Sequence, residues 1–448
     1  MDAKDPLVTI TNPLDANPRL NPDNSNPNMT VGFTFLGQFL DHDITFDPLP
    51  LGLSCDNKIT NSKNLRSPFF DLDSVYGRGP EEDRLLYDRA SELGPPVPAT
   101  FLIDSEAARD LPRTSQGRAI IADPRNDENV IVSQLQLAFL KFHNEAVDFV
   151  AARPPASATA KQIFEEARRL VRWHYQYIIV NQFLPATLDP KIYEQVKSDG
   201  PTIFKPGRKP KMPREFQVAA YRFGHSQIRP GYKPNRGFGA PIFDAKVDAN
   251  DGDPNDLRGG RRAPRRFVEW DIFFDFGILE VVPENGQPVV RPVVKKNKRI
   301  DPFISTPMFD LPVGPGLPEP VEDVRTLAAR NLERHLQHDV ASGQDIAKKL
   351  GYKPLEPEHT AELKDLGFHK SSPLWWYILK EALVRQEGQR LGDVGSRIIA
   401  EVFFGLLLSD PDSYWSKDPH WKPVFPRREG STGEAFTMTD LLTFARVA

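Results

Sequence analysis

Apolar side chains recur every three or four positions over several long stretches of the chain and alternate at two over almost none, which predicts a mainly helical protein with little β structure. The clearest pattern runs from Ser133 to Arg153, where Leu135, Phe139, Phe142, Ala146 and Phe149 share one helical face. Similar spacings predict helices from Ala160 to Val180, from Val324 to Leu336, and through Ile398, Val402, Phe403 and Leu406. A shorter one covers Phe33 to Thr45. Between Arg229 and Lys298, Gly, Pro and Arg dominate around one aromatic block, Trp270 to Phe276, and the reading there is mostly loop. Residues 1–30, rich in Asn, Asp and Pro, read as an extended N-terminal arm ahead of one large helical domain spanning 31–448.

Composition narrows the function more than the fold. With 43 prolines and 29 glycines, the helices should be joined by long ordered connections. A net charge of -4 offers no global basic field, which argues against nucleic acid as the main partner. The single cysteine, Cys55, rules out an internal disulfide framework, so a core, a cofactor or a metal must supply the stability. No run approaches the length of a membrane span, and Met1 to Pro6 lacks the layout of a signal peptide, so the chain reads as soluble.

Four segments carry candidate chemistry. In Gly37-Gln38-Phe39-Leu40-Asp41-His42-Asp43, helical spacing puts Gln38, Asp41 and His42 on one face and Asp43 on another. In Asn64 to Gly77, the residues Ser67, Phe69, Asp71 and Asp73 alternate at two; their oxygens, with Asp43, suit a hard cation such as calcium. The stretch Ala122 to Asn129 offers Arg125 and Glu128 three apart, and an arginine beside a histidine can stabilise negative charge on a bound oxygen species. Tyr221-Arg222-Phe223-Gly224-His225 sets a histidine after a small residue that leaves room for a flat group. Each has a plainer reading taken alone: a solvated helix end, an Asx-rich turn, a helix-capping cluster and a satisfied core histidine. Asp248 to Asp253 only superficially resembles an EF-hand loop, because Gly252 comes one place early and Gly259 stands where the bidentate glutamate belongs.

Taken in order, these segments resemble the animal-type haem peroxidases of the peroxidase and cyclooxygenase superfamily, in a bacterial form similar to myeloperoxidase, lactoperoxidase and peroxinectin-like enzymes. Arg330-Asn331-Leu332 and the tail from Gly392 to Tyr414 extend the match over nearly the whole chain. The resemblance implies haem b, with His42 as distal acid and base, Gln38 and Arg125 beside it, and His225 as the proximal iron ligand. It makes Asn331 the partner of the proximal imidazole and Arg222 the partner of a propionate. Asp41 and Glu128 match carboxylates that can be ester-linked to the haem, and Asp43, Ser67, Phe69, Asp71 and Asp73 match the ligands of one calcium ion. The activity implied is reduction of hydrogen peroxide through a ferryl iron, followed by oxidation of halides, thiocyanate or small phenolic donors.

Departures from the family pattern sharpen the expectation. Asn129 stands where myeloperoxidase has a methionine bonded to the haem, so that link should be missing and chloride disfavoured against bromide, iodide or thiocyanate. Arg334 to Asp339 departs from the usual spelling beneath the haem pocket. A fatty-acid dioxygenase or cyclooxygenase-like enzyme is the alternative, although Arg222, not a tyrosine, lies three before His225 and Tyr221 would face away in a helix. A non-catalytic adhesion or scaffold role on the same fold is a second alternative. The Arg258 to Arg266 cluster reads as a solvated loop. The family favours a monomer that is exported, with no membrane span.

Overall fold

In a computed structural model of the chain, residues 24–46, 64–88, 99–104, 109–153, 158–248, 251–312, 326–431 and 433–448 are described. Cys55 and residues 1–23 of the expected arm lie outside them, as do residues 249–250 of the rejected EF-hand-like stretch. The architecture is mainly helical, as the periodicity predicts, and each anticipated helix forms. Helix α1 spans Gly32–Ile44, α2 Val130–Ala151, α3 Ala160–Ile178, α4 Pro190–Asp199, α5 Leu327–Gln337, α6 Leu374–Gln386 and α7 Asp393–Ser409, with shorter turns between them.

Local chemistry sets the helix ends. Asn129 caps α2, its Oδ1 accepting from the N–H groups of Ile131 and Val132, so the helix starts three residues before the apolar pattern does. Thr159 and Gln162 form a capping box at the start of α3. That helix runs on through a π-turn, Ile179–Phe183, and stops after a last turn, Leu184–Thr187, containing Pro185. The first turn of α7 has no side-chain cap of its own. Glu381 of α6, fully buried, accepts from Val394 and Gly395 instead, tying the two helices together. A Cβ on Gly392 would sit 2.4 Å from Glu381 Cγ, so only glycine admits this approach.

Helix α1 is the core of the molecule. Ten of its 13 residues are buried, and Phe39 stacks on Phe139 of α2 with centroids 4.6 Å apart. Gly32 starts it in close contact with another segment: a Cβ there would lie 2.7 Å from the carbonyl oxygen of Phe273. An apolar helix enclosed by α2, by the 220–227 segment and by the 273–274 aromatics can present polar side chains only toward an internal site.

The β structure is slight, as the sequence suggests. Four two-stranded antiparallel sheets are described. Strand β1, Ser25–Thr30, pairs with β8, Lys296–Lys298, so the end of the expected arm is extended but built into the domain. Tyr87–Asp88 and Thr100–Phe101 form β2 and β3. Within 229–298, read as mostly loop, lie two hairpins: β4, Gly231–Asn235, with β5, Phe238–Pro241, and β6, Leu279–Glu284, with β7, Gln287–Pro292. The second turns at Asn285-Gly286, both in the left-handed region, the usual chemistry of a tight hairpin. Pro and Gly punctuation there marks hairpin turns, not the absence of strands. No described helix is long and apolar enough to cross a membrane.

Candidate active site

One short turn, Pro124–Asp127, and the two residues after it grip the C-terminal half of α1 at several points. Arg125 Nη2 donates to the carbonyl of His42 at 2.9 Å. His42 Nδ1 and Asn126 Oδ1 are 2.8 Å apart. Gln38 Nε2 donates to Glu128 Oε2 at 2.9 Å, and Asn129 Nδ2 donates to Gln38 Oε1 at 3.1 Å. Gln38 and His42 therefore do share a face, the one turned toward Arg125 and Glu128. Asp41 accepts from Thr45 Oγ1 at 2.9 Å. Asp43 points elsewhere, as its spacing predicts.

His42 is buried among charges of both signs. Burial, reinforced by the Arg125 guanidinium, lowers its pKa to about 4, so the imidazole is neutral at pH 7. Arg125 is itself fixed: Nε and Nη2 both reach Asp123, and its guanidinium carbon lies 4.5 Å over the Phe46 ring. Burial alone would raise Asp123, but hydrogen bonds and charge from Arg125, with His42 and Arg66, bring it down to about 2. Burial raises Glu128 to about 7 against the pull of Arg125, so near neutral pH it carries a proton much of the time.

The acidic loop meets α1 from the other side. Asp43, fully buried, accepts from the Leu72 N–H at 3.2 Å, from Ser74 Oγ at 3.1 Å and from Tyr175 Oη at 3.1 Å. Asp43, Asp71 and Asp73 bring carboxylate oxygens within 4.8 Å of one another. Burial and mutual repulsion push Asp43 and Asp73 up, while Asp71 rises mainly through burial. Ser67 Oγ donates to Asp71 Oδ2 at 2.8 Å, and Asp73 Oδ1 is buried without a hydrogen bond. Three crowded carboxylates and an orphaned oxygen fit a hard cation. Their convergence does not come from simple alternation in an extended strand. Leu72, buried and at φ +60°, turns the chain so that Asp73 opens a helical turn, Asp73–Tyr76. Arg66 joins the regions, with Nη1 3.8 Å from Asp73 and Nη2 2.6 Å from Asp123.

His225 lies on a 3₁₀ segment, Ala220–Gln227, that packs against α1. Tyr221 Oη donates to the Gly37 carbonyl at 3.3 Å, bridging the two. Asn331 of α5 places Nδ2 2.9 Å from His225 Nδ1, while its Oδ1 is buried without a partner. Turning that amide over would satisfy the orphaned oxygen with the Nδ1–H and leave Nε2 bare for a metal. Burial, then the Arg222 charge, lowers His225 to about 3, so the ring is neutral and able to ligate. A Cβ on Gly224 would meet nothing within 4 Å, the open space that a flat group beside His225 needs. Arg222 Nε donates to the Gln217 carbonyl, and Trp375 donates to the Arg222 carbonyl at 3.0 Å. These residues fit an iron porphyrin held at His225 Nε2.

Sequence reasoning missed several partners. Asn126 has no signal of its own because His42 is 84 residues away. Asp123, Arg66 and Gln136 are likewise defined only by contacts. Tyr221 packs in the aromatic core on Phe216, Phe223 and Phe403, and its Oη reaches the α1 backbone. The Arg258 to Arg266 cluster is not a solvated loop throughout. Arg266 is fully buried, donating to the carbonyls of Asp256, Arg258 and Arg261, and Arg258 pairs with buried Asp256.

The family profile for animal haem peroxidase matches residues 52–238, a span that includes Ser67 to Asp73, Arg125, Glu128, Arg222 and His225. A peroxidase-like protein of Margaritifera margaritifera is 30% identical over 186 residues, covering 37% of this chain and 22% of that protein. The chain thus spans less than two thirds of the length of such curated relatives. Among solved structures, peroxidase A from Dictyostelium discoideum superposes with a TM-score of 0.55 at 17% identity, covering 87% of this chain and 80% of that one. A fatty acid alpha-dioxygenase of Arabidopsis thaliana superposes with a TM-score of 0.54 at 14% identity, covering 87% and 67%. At these identities the superpositions speak for the fold, and the profile match, over less than half of the chain, together with the partial peroxidase relatives shows that this stretch is similar to the animal haem peroxidases.

Proposed function

We propose that the chain is a haem peroxidase that reduces hydrogen peroxide and oxidises small anionic or phenolic donors. The observation that carries this is a pair of neutral imidazoles, His42 buried on α1 and His225 partly buried on the segment packed against it, each backed at Nδ1 by an asparagine. Haem, when bound, supplies the redox chemistry. His225 offers Nε2 to the iron, Asn331 orients its ring, and Arg222 is placed to pair with a propionate. His42 takes a proton from peroxide at Nε2 and returns it to the departing oxygen, so that one imidazole serves as base and then acid. Arg125, held by Asp123 and the His42 carbonyl, supplies positive charge beside that transfer. Gln38, fixed by Glu128 and Asn129, presents an amide on the same face.

Asp43, Ser67, Phe69, Asp71 and Asp73 bind one calcium ion, Phe69 through its carbonyl. Because Asp43 follows His42 directly, the ion holds the distal histidine in place. Glu128 and Asp41 are the candidates for ester bonds to the haem. Asn129, engaged as helix cap and Gln38 partner, offers no sulfur for a third link. Bromide, iodide and thiocyanate are therefore the anionic donors we favour over chloride, and the working unit is a monomer.

The test is stopped-flow absorbance of the haem-loaded chain mixed with peroxide and then with each donor. The Soret band should lose intensity and recover with at least one donor. His225→Ala should lose haem ligation, and Arg125→Ala should slow the peroxide step far more than it weakens haem binding. A haem inert to peroxide would overturn the reading. A dioxygenase is the second reading, favoured by the superposition on fatty acid alpha-dioxygenases and by Tyr221, whose Oη reaches the α1 backbone at Gly37. Oxygen uptake on adding palmitic or linoleic acid would select it.

A further inference from the structure

We infer that Asn126, seated on Gln136, is a positioning residue that keeps a proton on His42 Nδ1 and so leaves Nε2 bare to receive the proton of peroxide. The inference rests on His42 being the distal base. His42, Asn126 and Gln136 are all buried, at 5%, 0% and 0% exposure. His42 Nδ1 lies 2.8 Å from Asn126 Oδ1, and Asn126 Nδ2 donates to Gln136 Oε1 at 2.8 Å.

Counting hydrogen bonds alone would not fix its direction. Gln136 Nε2 is buried without a partner, and turning both amides over would exchange that orphaned donor for an orphaned carbonyl oxygen. The demand of the reaction breaks the tie. A base that accepts at Nε2 becomes an imidazolium, in which both ring nitrogens carry hydrogen, so Nδ1 must face an acceptor before and after the transfer. With Asn126 Oδ1 at Nδ1, one proton arrives at Nε2 from peroxide and leaves from Nε2 to the departing oxygen, which departs as water. The Nδ1 proton never moves and neither amide has to turn. In the opposite orientation, Asn126 Nδ2–H would face Nδ1 and force the neutral ring to carry its proton on Nε2, where it blocks the base.

The turn that holds Asn126 explains why this residue can do it. Asp123 Oδ1 accepts from the Arg125 N–H at 2.9 Å, and the Asn126 N–H donates to the Asp123 carbonyl at 3.0 Å. The backbone that carries Asn126 is thus anchored independently of its side chain.

Two measurements test this. In the haem-loaded full chain held diamagnetic as the ferrous carbon-monoxide form, with ¹⁵N-labelled histidine, His42 should show a protonated Nδ1 and a bare Nε2. A proton on Nε2 overturns the inference without touching the peroxidase assignment, which fails separately if no haem binds or peroxide leaves the Soret band unchanged. In stopped flow at fixed pH, Asn126→Ala should slow the peroxide step about 10²-fold, the scale of losing a positioned base. Asn126→Asp, which can only accept at that site, should recover most of the rate while lowering stability, because it buries a carboxylate near Asp123. If the aspartate variant is as slow as alanine, or alanine as fast as the parent, Asn126 is only structural.

Discussion

Gly259 is the glycine where an added Cβ would clash most severely with backbone. Its N–H donates to the Glu128 carbonyl at 2.8 Å, and next to it the Val130 N–H donates to the Leu257 carbonyl at 2.9 Å. A Cβ built on Gly259 would lie 1.4 Å from the Asp127 carbonyl oxygen and 2.5 Å from its carbon. These are backbone atoms, so no rotamer change relieves the clash. Gly259→Ala must push the 257–259 segment away from residues 127–130 by more than an ångström. Breaking the two ladder bonds costs about 1–3 kcal/mol at a net ~0.5–1.5 kcal/mol each. Overpacking adds about 1–3 kcal/mol. A total loss of roughly 2–6 kcal/mol follows from those two ranges. The same movement drags Glu128 and Asn129, which hold Gln38, so the peroxide step should slow as well. Urea unfolding followed by tryptophan fluorescence measures the first effect and stopped-flow Soret absorbance the second. A variant whose stability stays within about 0.5 kcal/mol of the parent, as for an ordinary surface change, would mean that the 257–259 segment does not pack on the 127–130 turn.

Calcium removal should destabilise the chain more at pH 7.5 than at pH 5. The folded-state pKa values of Asp43, Asp71 and Asp73 are raised, so ionising them costs stability as pH rises, and a cation offsets that cost only where they are charged. At a hundred times its Kd the ion adds about 2.7 kcal/mol; equal melting shifts at both pH values would refute the site. Acid should weaken the fold through His143 and His174, which burial depresses to about 3. Between an unfolded value of ~6.5 and these folded values, only the unfolded chain binds the protons. Stability then falls as pH drops, by about 2.7 kcal/mol per pH unit for the two together. His174 accepts from the Val424 and Phe425 N–H groups, and His174→Gln should take about 1.4 kcal/mol per pH unit off the measured slope; an unchanged slope would point to other groups. Arg266→Leu should cost roughly 3–5 kcal/mol, because carbonyls and the buried pair of Asp256 with Arg258 lose their partner, and a neutral result in urea unfolding would return the cluster to a solvated loop. In an Asp41→Asn background, Glu128→Gln should make the haem extractable by acid acetone if the ester forms there; haem equally retained with and without Glu128 would exclude that attachment.

The sequence by itself determined the helices, because a 3.6-residue apolar period is a local property that survives any tertiary arrangement; α1, α2 and α7 lie where the pattern puts them. It also determined the chemical inventory: His42 beside Asp43, an arginine and a glutamate in one turn, and Gly224 before His225 are all adjacent in the chain. Only the tertiary structure decided which of these meet. Asn126 finds His42 across 84 residues and Asn331 finds His225 across 106, separations over which spacing carries no information. Gly259 and Arg266 look like a flexible basic loop because glycine and arginine are read from their solvent preferences. In the fold, one has no side chain because a backbone passes where it would be, and the other is buried because three carbonyls need its donors. The strands between 229 and 298 were hidden for a related reason: a two-stranded hairpin is fixed by its turn and its partner, and neither leaves a long periodic signal in the chain.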